Sequence, residues 1–246
     1  MAGVNVCQAT LIAGWNFFGE NTGVASSPAD VFNAHLDSSS LVTRGASAAA
    51  STANNSFRTT GFQNNGISTA NTDYFQTTLS AVSGYTLSLS TIDARFSGTD
   101  TFARSSGVTA QFAYSLNGSS FTLIGSPFTL SVVSSIPSAG LVMPQINLSG
   151  IPALQNLSDS TTVTIRYYAS GQTTTGGWGF FSNTSINDGL DFGGTLTAVP
   201  EPSEWGLVSG LGLLVIFGLR TWRERRSMAF AIESAAKLPS RPRVMK

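Results

Sequence analysis

Few residues in this chain are of the types that do chemistry. One Cys and one His in 246 residues exclude zinc frameworks, disulfide scaffolds and Cys–His catalytic pairs within the chain. His35 stands in a polar stretch near Asp30 and Asp37, and the ordinary reading of such a histidine is a solvated loop residue. Asp93, Asp100, Asp188 and Asp191 are the candidates for the carboxylate pair of glycoside hydrolysis, a geometry that spacing alone does not define. Solvated loop carboxylates are the ordinary alternative. No Gly-x-Ser-x-Gly elbow marks a serine nucleophile, and the expectation is a protein without enzymatic activity.

Two binding chemistries remain. Asn183, Asn187, Asp188 and Asp191 gather hard oxygen donors of the kind calcium takes, although Asn and Asp are also common turn formers. They do not match an EF-hand loop, and no cofactor is required. Trp178, Phe180 and Phe181, together with Tyr167 and Tyr168, offer rings for stacking on a sugar. If Tyr167-Tyr168 lies in a strand, one ring points outward, so Tyr168 and Trp178 are the candidate ligand-binding residues. The same rings also suit a hydrophobic core.

Only 11% of the chain that positions these residues is charged, against roughly 25% in an ordinary soluble protein. The formal net charge of zero hides a division. Residues 1–199 hold five Arg, no Lys and nine Asp or Glu, a net of −4; residues 200–246 hold eight Lys or Arg and four Glu, a net of +4. An acidic body with a basic tail excludes a nucleic-acid-binding body, which needs its cations on the folded part.

Residues 10–198 read as an exported β domain. Tyr85, Leu87 and Leu89 alternate with Ser and Thr; Phe112, Tyr114 and Leu116 are in phase, as are Val163, Ile165 and Tyr167. That period of two is the mark of half-buried strands. Asn117-Gly118 predicts a type I′ hairpin turn. Strands are expected near 10–18, 55–62, 73–82, 85–97, 108–117, 120–125, 127–133, 141–148, 161–169 and 177–196. Many short strands at even spacing predict a jelly-roll-like β-sandwich. The stretch 20–54 reads as a long surface connection or arm, and 134–160 as loop and edge strand.

The C-terminal segment is different in kind. Trp205–Leu219 is fifteen residues without a charge. Counted back to Pro202 it reaches about 27 Å as a helix, a short match to a hydrocarbon core of roughly 30 Å. Gly206, Gly210, Gly212 and Gly218 suit a membrane helix better than a soluble one. Arg220, Arg223, Arg225 and Arg226 follow at once, and by the positive-inside rule the tail is expected to stay cytoplasmic. Just before the span stands Val199-Pro-Glu-Pro-Ser203, whose prolines favour an extended segment outside any strand or helix. The chain is therefore expected to end in a single transmembrane helix.

The order of Pro-Glu-Pro-Ser, a Gly- and Leu-rich short span and clustered Arg over residues 199–226 resembles the PEP-CTERM sorting signal of exported Gram-negative proteins. The resemblance implies transient processing by exosortase, a membrane-embedded cysteine protease or transpeptidase acting in trans. It also implies an inner-membrane, single-pass anchor, followed by a place at the cell surface or in the biofilm matrix of bacteria that make exopolysaccharide. Pro200, Glu201, Pro202 and Ser203 would be the recognition residues, Trp205–Leu219 the transient anchor, and Arg220, Arg223, Arg225 and Arg226 the stop-transfer cluster. The body is similar, more loosely, to others of that group in Gly14-Trp-Asn-Phe-Phe18, Gln111–Gly118 and Asp188–Leu196. A structural or adhesive role is the first expectation, and a carbohydrate-binding module associated with exopolysaccharide is the alternative.

Export requires a signal peptide, and residues 1–9 have neither the charged start nor the apolar run of one. Cys7-Gln-Ala9 reads as the end of a cleavage site, with Thr10 beginning the mature chain and the remainder of the signal upstream. A lipoprotein Cys7 is the other reading, and Val4-Asn-Val makes it a poor one. Residues 227–246 read as a basic cytoplasmic tail, longer than such signals usually carry.

Overall fold

The computed structural model describes residues 10–20, 23–37, 40–45, 47–132, 134–185 and 189–200. In chain order the strands are β1 (Thr10–Trp15), β2 (Ser26–Pro28), β3 (Val31–Phe32), β4 (Leu41–Arg44), β5 (Ala50–Ser51), β6 (Ser56–Thr59), β7 (Phe75–Leu79) and β8 (Tyr85–Gly98). A single helical turn, α1 (Asp100–Ala103), leads to β9 (Val108–Ser115), β10 (Thr122–Leu123), β11 (Phe128–Leu130), β12 (Leu141–Val142) and β13 (Ile146–Asn147). The last strands are β14 (Val163–Ser170), β15 (Trp178–Phe181) and β16 (Leu190–Ala198). The chain divides between Val199 and Pro200, and every described strand belongs to the first of these units.

The strands form two antiparallel sheets. The larger runs β3-β1-β16-β8-β15-β6-β5, with β12 and β13 on the opposite edge of β8; the smaller runs β10-β9-β14-β7-β4-β2, with β11 also against β9. They face each other across an aromatic core. Phe96 of β8 stacks on Tyr167 of β14 with ring centroids 4.7 Å apart, and Phe180 of β15 meets Phe75 of β7 at 5.3 Å. Trp15 meets Phe192 edge to face at 6.0 Å. Burying each such ring stabilises the fold by about 1.5–3 kcal/mol, and each pair adds about 0.5–1.5 kcal/mol.

The alternation in the sequence maps onto this core, with one change of phase. Leu87 and Leu89 of β8 face inward, and then Ile92, Ala94 and Phe96 do. The step of three arises because Gly193 pairs with Thr91 and Gly194 with Leu89, leaving Ser90 as the extra residue of a β-bulge.

Several expectations are corrected. The stretch 20–54 is not a bare connection, since it contributes β2, β3, β4 and β5. The single strand expected over 177–196 is two, β15 and β16. The hairpin at Asn117-Gly118 forms, with Thr122 opposite Tyr114, but its turn is not type I′. That turn needs positive φ at both residues, and only Gly118 has it (φ 70°). Asn117 instead bends the chain with its side chain, whose Oδ1 accepts from the N–H of Ser119 at 3.0 Å and of Ser120 at 2.9 Å.

Among the described residues no helix is long and apolar enough to cross a membrane. The span expected at Trp205–Leu219 lies outside them, as do the segments 1–9, 201–204 and 220–246.

Candidate functional site

The last strand of the body runs up to the Pro-Glu-Pro motif. The ladder between β16 and β8 continues to Ala198 opposite Tyr85, and the N–H of Val199 still donates to the carbonyl of Gly84 at 2.8 Å. Pro200, the first residue of the Pro-Glu-Pro motif, is exposed and has no N–H to offer a further strand. The described ladder thus reaches the residue before the Pro-Glu-Pro motif. Glu201, Pro202, Ser203, Arg220, Arg223, Arg225 and Arg226 lie outside the described residues.

His35 sits at this same end of the body, in a turn as expected and half-buried. Its ring lies flat on Tyr85 with centroids 3.9 Å apart and planes within 11°. Its carbonyl accepts from Val82 at 2.9 Å.

The aromatic platform expected at Tyr168 and Trp178 is absent as an exposed surface. Trp178 is 0% exposed, and so is Tyr168. Trp178 and Phe180 point into the core, where the indole N–H of Trp178 donates to the Tyr167 hydroxyl at 2.9 Å. Tyr168 does point away from the core, as alternation requires. The chain around Thr69–Tyr74 covers it: its hydroxyl donates to the Thr69 carbonyl at 3.4 Å, and the Tyr74 ring lies edge-on at 5.9 Å. Burial pushes the Tyr168 phenol above its ordinary range, with Arg166 opposing.

The carboxylates are only partly brought together. Asp93 and Asp191 are paired directly across β8 and β16, half-buried on the outer face of the larger sheet. Both oxygens of Asp93 accept from Gln145 Nε2, at 2.9 and 3.0 Å. Asp100 is elsewhere, accepting from the N–H of Ile136 at 2.9 Å, and Asp188 and Asn187 lie outside the described residues. Among the described residues no three acidic, His or Cys side chains cluster as metal ligands.

Two arginines, neither singled out by the sequence reading, organise the polar parts of the body. The Arg44 guanidinium lies 3.7 Å over the Phe57 ring; its Nε donates to the Arg58 carbonyl at 2.8 Å and its Nη1 to the Val24 carbonyl. Burial lowers its pKa to about 10, opposed by the charge of Glu20. Glu20 Oε1 accepts from Ser27 Oγ at 2.6 Å, while Oε2 is buried without a hydrogen-bond partner.

Arg166 lies on the outer face of the smaller sheet. Its guanidinium is sandwiched between Tyr74, 3.8 Å from the ring centroid, and Phe121, at 3.7 Å. Nε donates to Gln76 Oε1 at 2.8 Å and Nη1 to the Tyr168 hydroxyl at 3.5 Å. The available signal was compositional: in a body with five Arg and no Lys, an Arg inside a strand is a rare charge that the fold must accommodate. The void between the sheets, lined by Phe75, Phe112, Tyr167 and Phe180, has room for about one water molecule and no ligand.

Comparisons of the chain with protein-family models, with curated proteins and with solved structures found no match.

Proposed function

We propose that this chain is an exported surface or matrix protein, carried by a C-terminal sorting signal of the PEP-CTERM type and processed by exosortase. The observation that carries this reading is the order of Pro200-Glu-Pro-Ser203, the apolar Trp205–Leu219 and Arg220–Arg226, joined to a body whose described strand ladder reaches Val199. A cut beyond Pro200 leaves β16, Leu190–Ala198, whole. The positive-inside rule puts the Arg cluster in the cytoplasm and the body on the far side of the inner membrane.

We read the body as a jelly roll. If β12 and β13 count as one position, and β10 and β11 as another, the order β1-β16-β8-(β12, β13) faces β7-β14-β9-(β10, β11). That is the interleaving of two four-stranded Greek keys, with β2–β6 and β15 as insertions. Such a body gives a structural or adhesive role a rigid scaffold. A carbohydrate-binding role is the second reading, favoured by the open edge of Arg166.

Replacing Glu201 with Ala in the producing organism tests the sorting reading. The variant is expected to accumulate as uncleaved chain in the membrane fraction, with its surface-exposed form reduced at least tenfold. Processing at the wild-type rate would overturn it.

A further inference from the structure

We propose that Arg166 anchors a subsite for the carboxylate of a uronic-acid unit in an acidic polysaccharide. The inference deepens the carbohydrate-binding reading and rests on it.

Arg166 has both faces of its guanidinium covered, by Tyr74 and by Phe121. Two of its three nitrogens are held, by Gln76 and Tyr168. Nη2 takes no acceptor among the described residues and is not among the buried atoms. Stacking removes water from the faces while the edge stays available, so an incoming anion is met edge-on by a cation already held in position. No carboxylate among the described residues pairs with this guanidinium, although the body as a whole is acidic. Guanidinium edges match carboxylate geometry.

The surroundings select the rest of the ligand. Cross-strand pairing sets Thr43 beside Gln76 and Gln76 beside Arg166, and sets Thr78 beside Thr164 in the adjoining row. These side chains point away from the core because Phe75, Thr77, Leu79, Ile165 and Tyr167 point into it. Thr164 is itself buried, so the groups left part-exposed beside this cation are the Thr43 and Thr78 hydroxyls and the Gln76 amide. Hydroxyls and amides suit a polyol, and a single guanidinium suits one carboxylate per recognised unit. A polyphosphate or nucleic acid needs several cations together, and this face offers one.

The test is affinity electrophoresis of the full chain in non-ionic detergent, through gels containing polygalacturonate, its methyl ester or polyglutamate. The wild type is expected to be retarded by polygalacturonate at least tenfold more strongly than by its ester, and more strongly than by polyglutamate. Because residues 200–246 carry a net charge of +4, the variants separate retention through Arg166 from retention through that segment. Arg166→Lys keeps the charge but loses the planar fork, and is expected to weaken polygalacturonate retention about tenfold while leaving polyglutamate retention unchanged. Thr78→Val leaves the sandwich intact and is expected to weaken it about threefold. Equal retention by polyglutamate, no loss in either variant, or no retention of the wild type would each overturn the subsite. None of these results bears on C-terminal sorting, which is read from the mature terminus.

Discussion

The indole N–H of Trp178 donates to the hydroxyl of Tyr167 at 2.9 Å, joining the larger sheet to the smaller through the middle of the core. Both residues are buried, and the Tyr167 ring also lies 4.7 Å from Phe96, 5.1 Å from Phe112 and 5.4 Å from Phe180. A polar bond in an apolar core is costly to break on one side only, because the remaining group keeps its desolvation penalty. Burial also pushes the Tyr167 phenol well above its ordinary range, so it stays neutral and able to accept.

Tyr167→Phe should therefore cost about 1–3 kcal/mol, although it removes one oxygen and no apolar surface. Urea denaturation followed by tryptophan fluorescence measures it. An unchanged midpoint would mean that the bond contributes nothing across the sheets.

A second prediction concerns close approach of the backbones of β15 and β6. A methyl group at Gly179 would run into the Phe57 carbonyl oxygen and lie 2.7 Å from the Arg58 Cα, backbone atoms that cannot move aside as a side chain can. Gly179→Ala should destabilise by about 3 kcal/mol. Gly150→Ala, which meets nothing within 4 Å, should stay within about 0.5 kcal/mol of wild type. Thermal unfolding of the two variants makes the comparison, and equal losses would contradict the packing described.

The third prediction is a pH dependence. Burial raises the Glu20 carboxyl above its ordinary range against the opposing hydrogen bond from Ser27, and burial raises Asp73 as well. A carboxyl with a raised pKa in the fold binds its proton more tightly folded than unfolded. Its contribution is fully present below about pH 4, the unfolded value, and is lost as pH rises through the folded one. The urea midpoint of the wild type should thus fall relative to that of Glu20→Gln between pH 4 and 7. Parallel profiles would show that Glu20 is solvated like any surface carboxylate.

The strands legible in the sequence were those with one face buried and the other wet. Leu87 and Leu89, Phe112, and Ile165 and Tyr167 announce their strands because burial acts on every second residue. β2, β3 and β5 gave no such signal, since two or three residues at a sheet edge cannot show a period. Tyr168 shows a second limit. Alternation correctly turned its ring away from the core, but its exposure depends on the chain near Thr69 and Tyr74, which covers it from far along the sequence. The Arg166 sandwich was illegible for the same reason, because Tyr74 and Phe121 reach it from two separate connections. The exposed Pro200 that follows Val199 was readable from local chemistry, since a residue without an N–H is a poor member of a sheet.

The most direct test of the sorting account is mass spectrometry of the mature C-terminus in the producing organism, with and without its exosortase. The account predicts a terminus between Pro200 and Glu204 that depends on that enzyme, and a body released from the inner membrane. Lys246 retained in both strains would contradict it and leave the Pro-Glu-Pro segment as an ordinary linker to a membrane anchor.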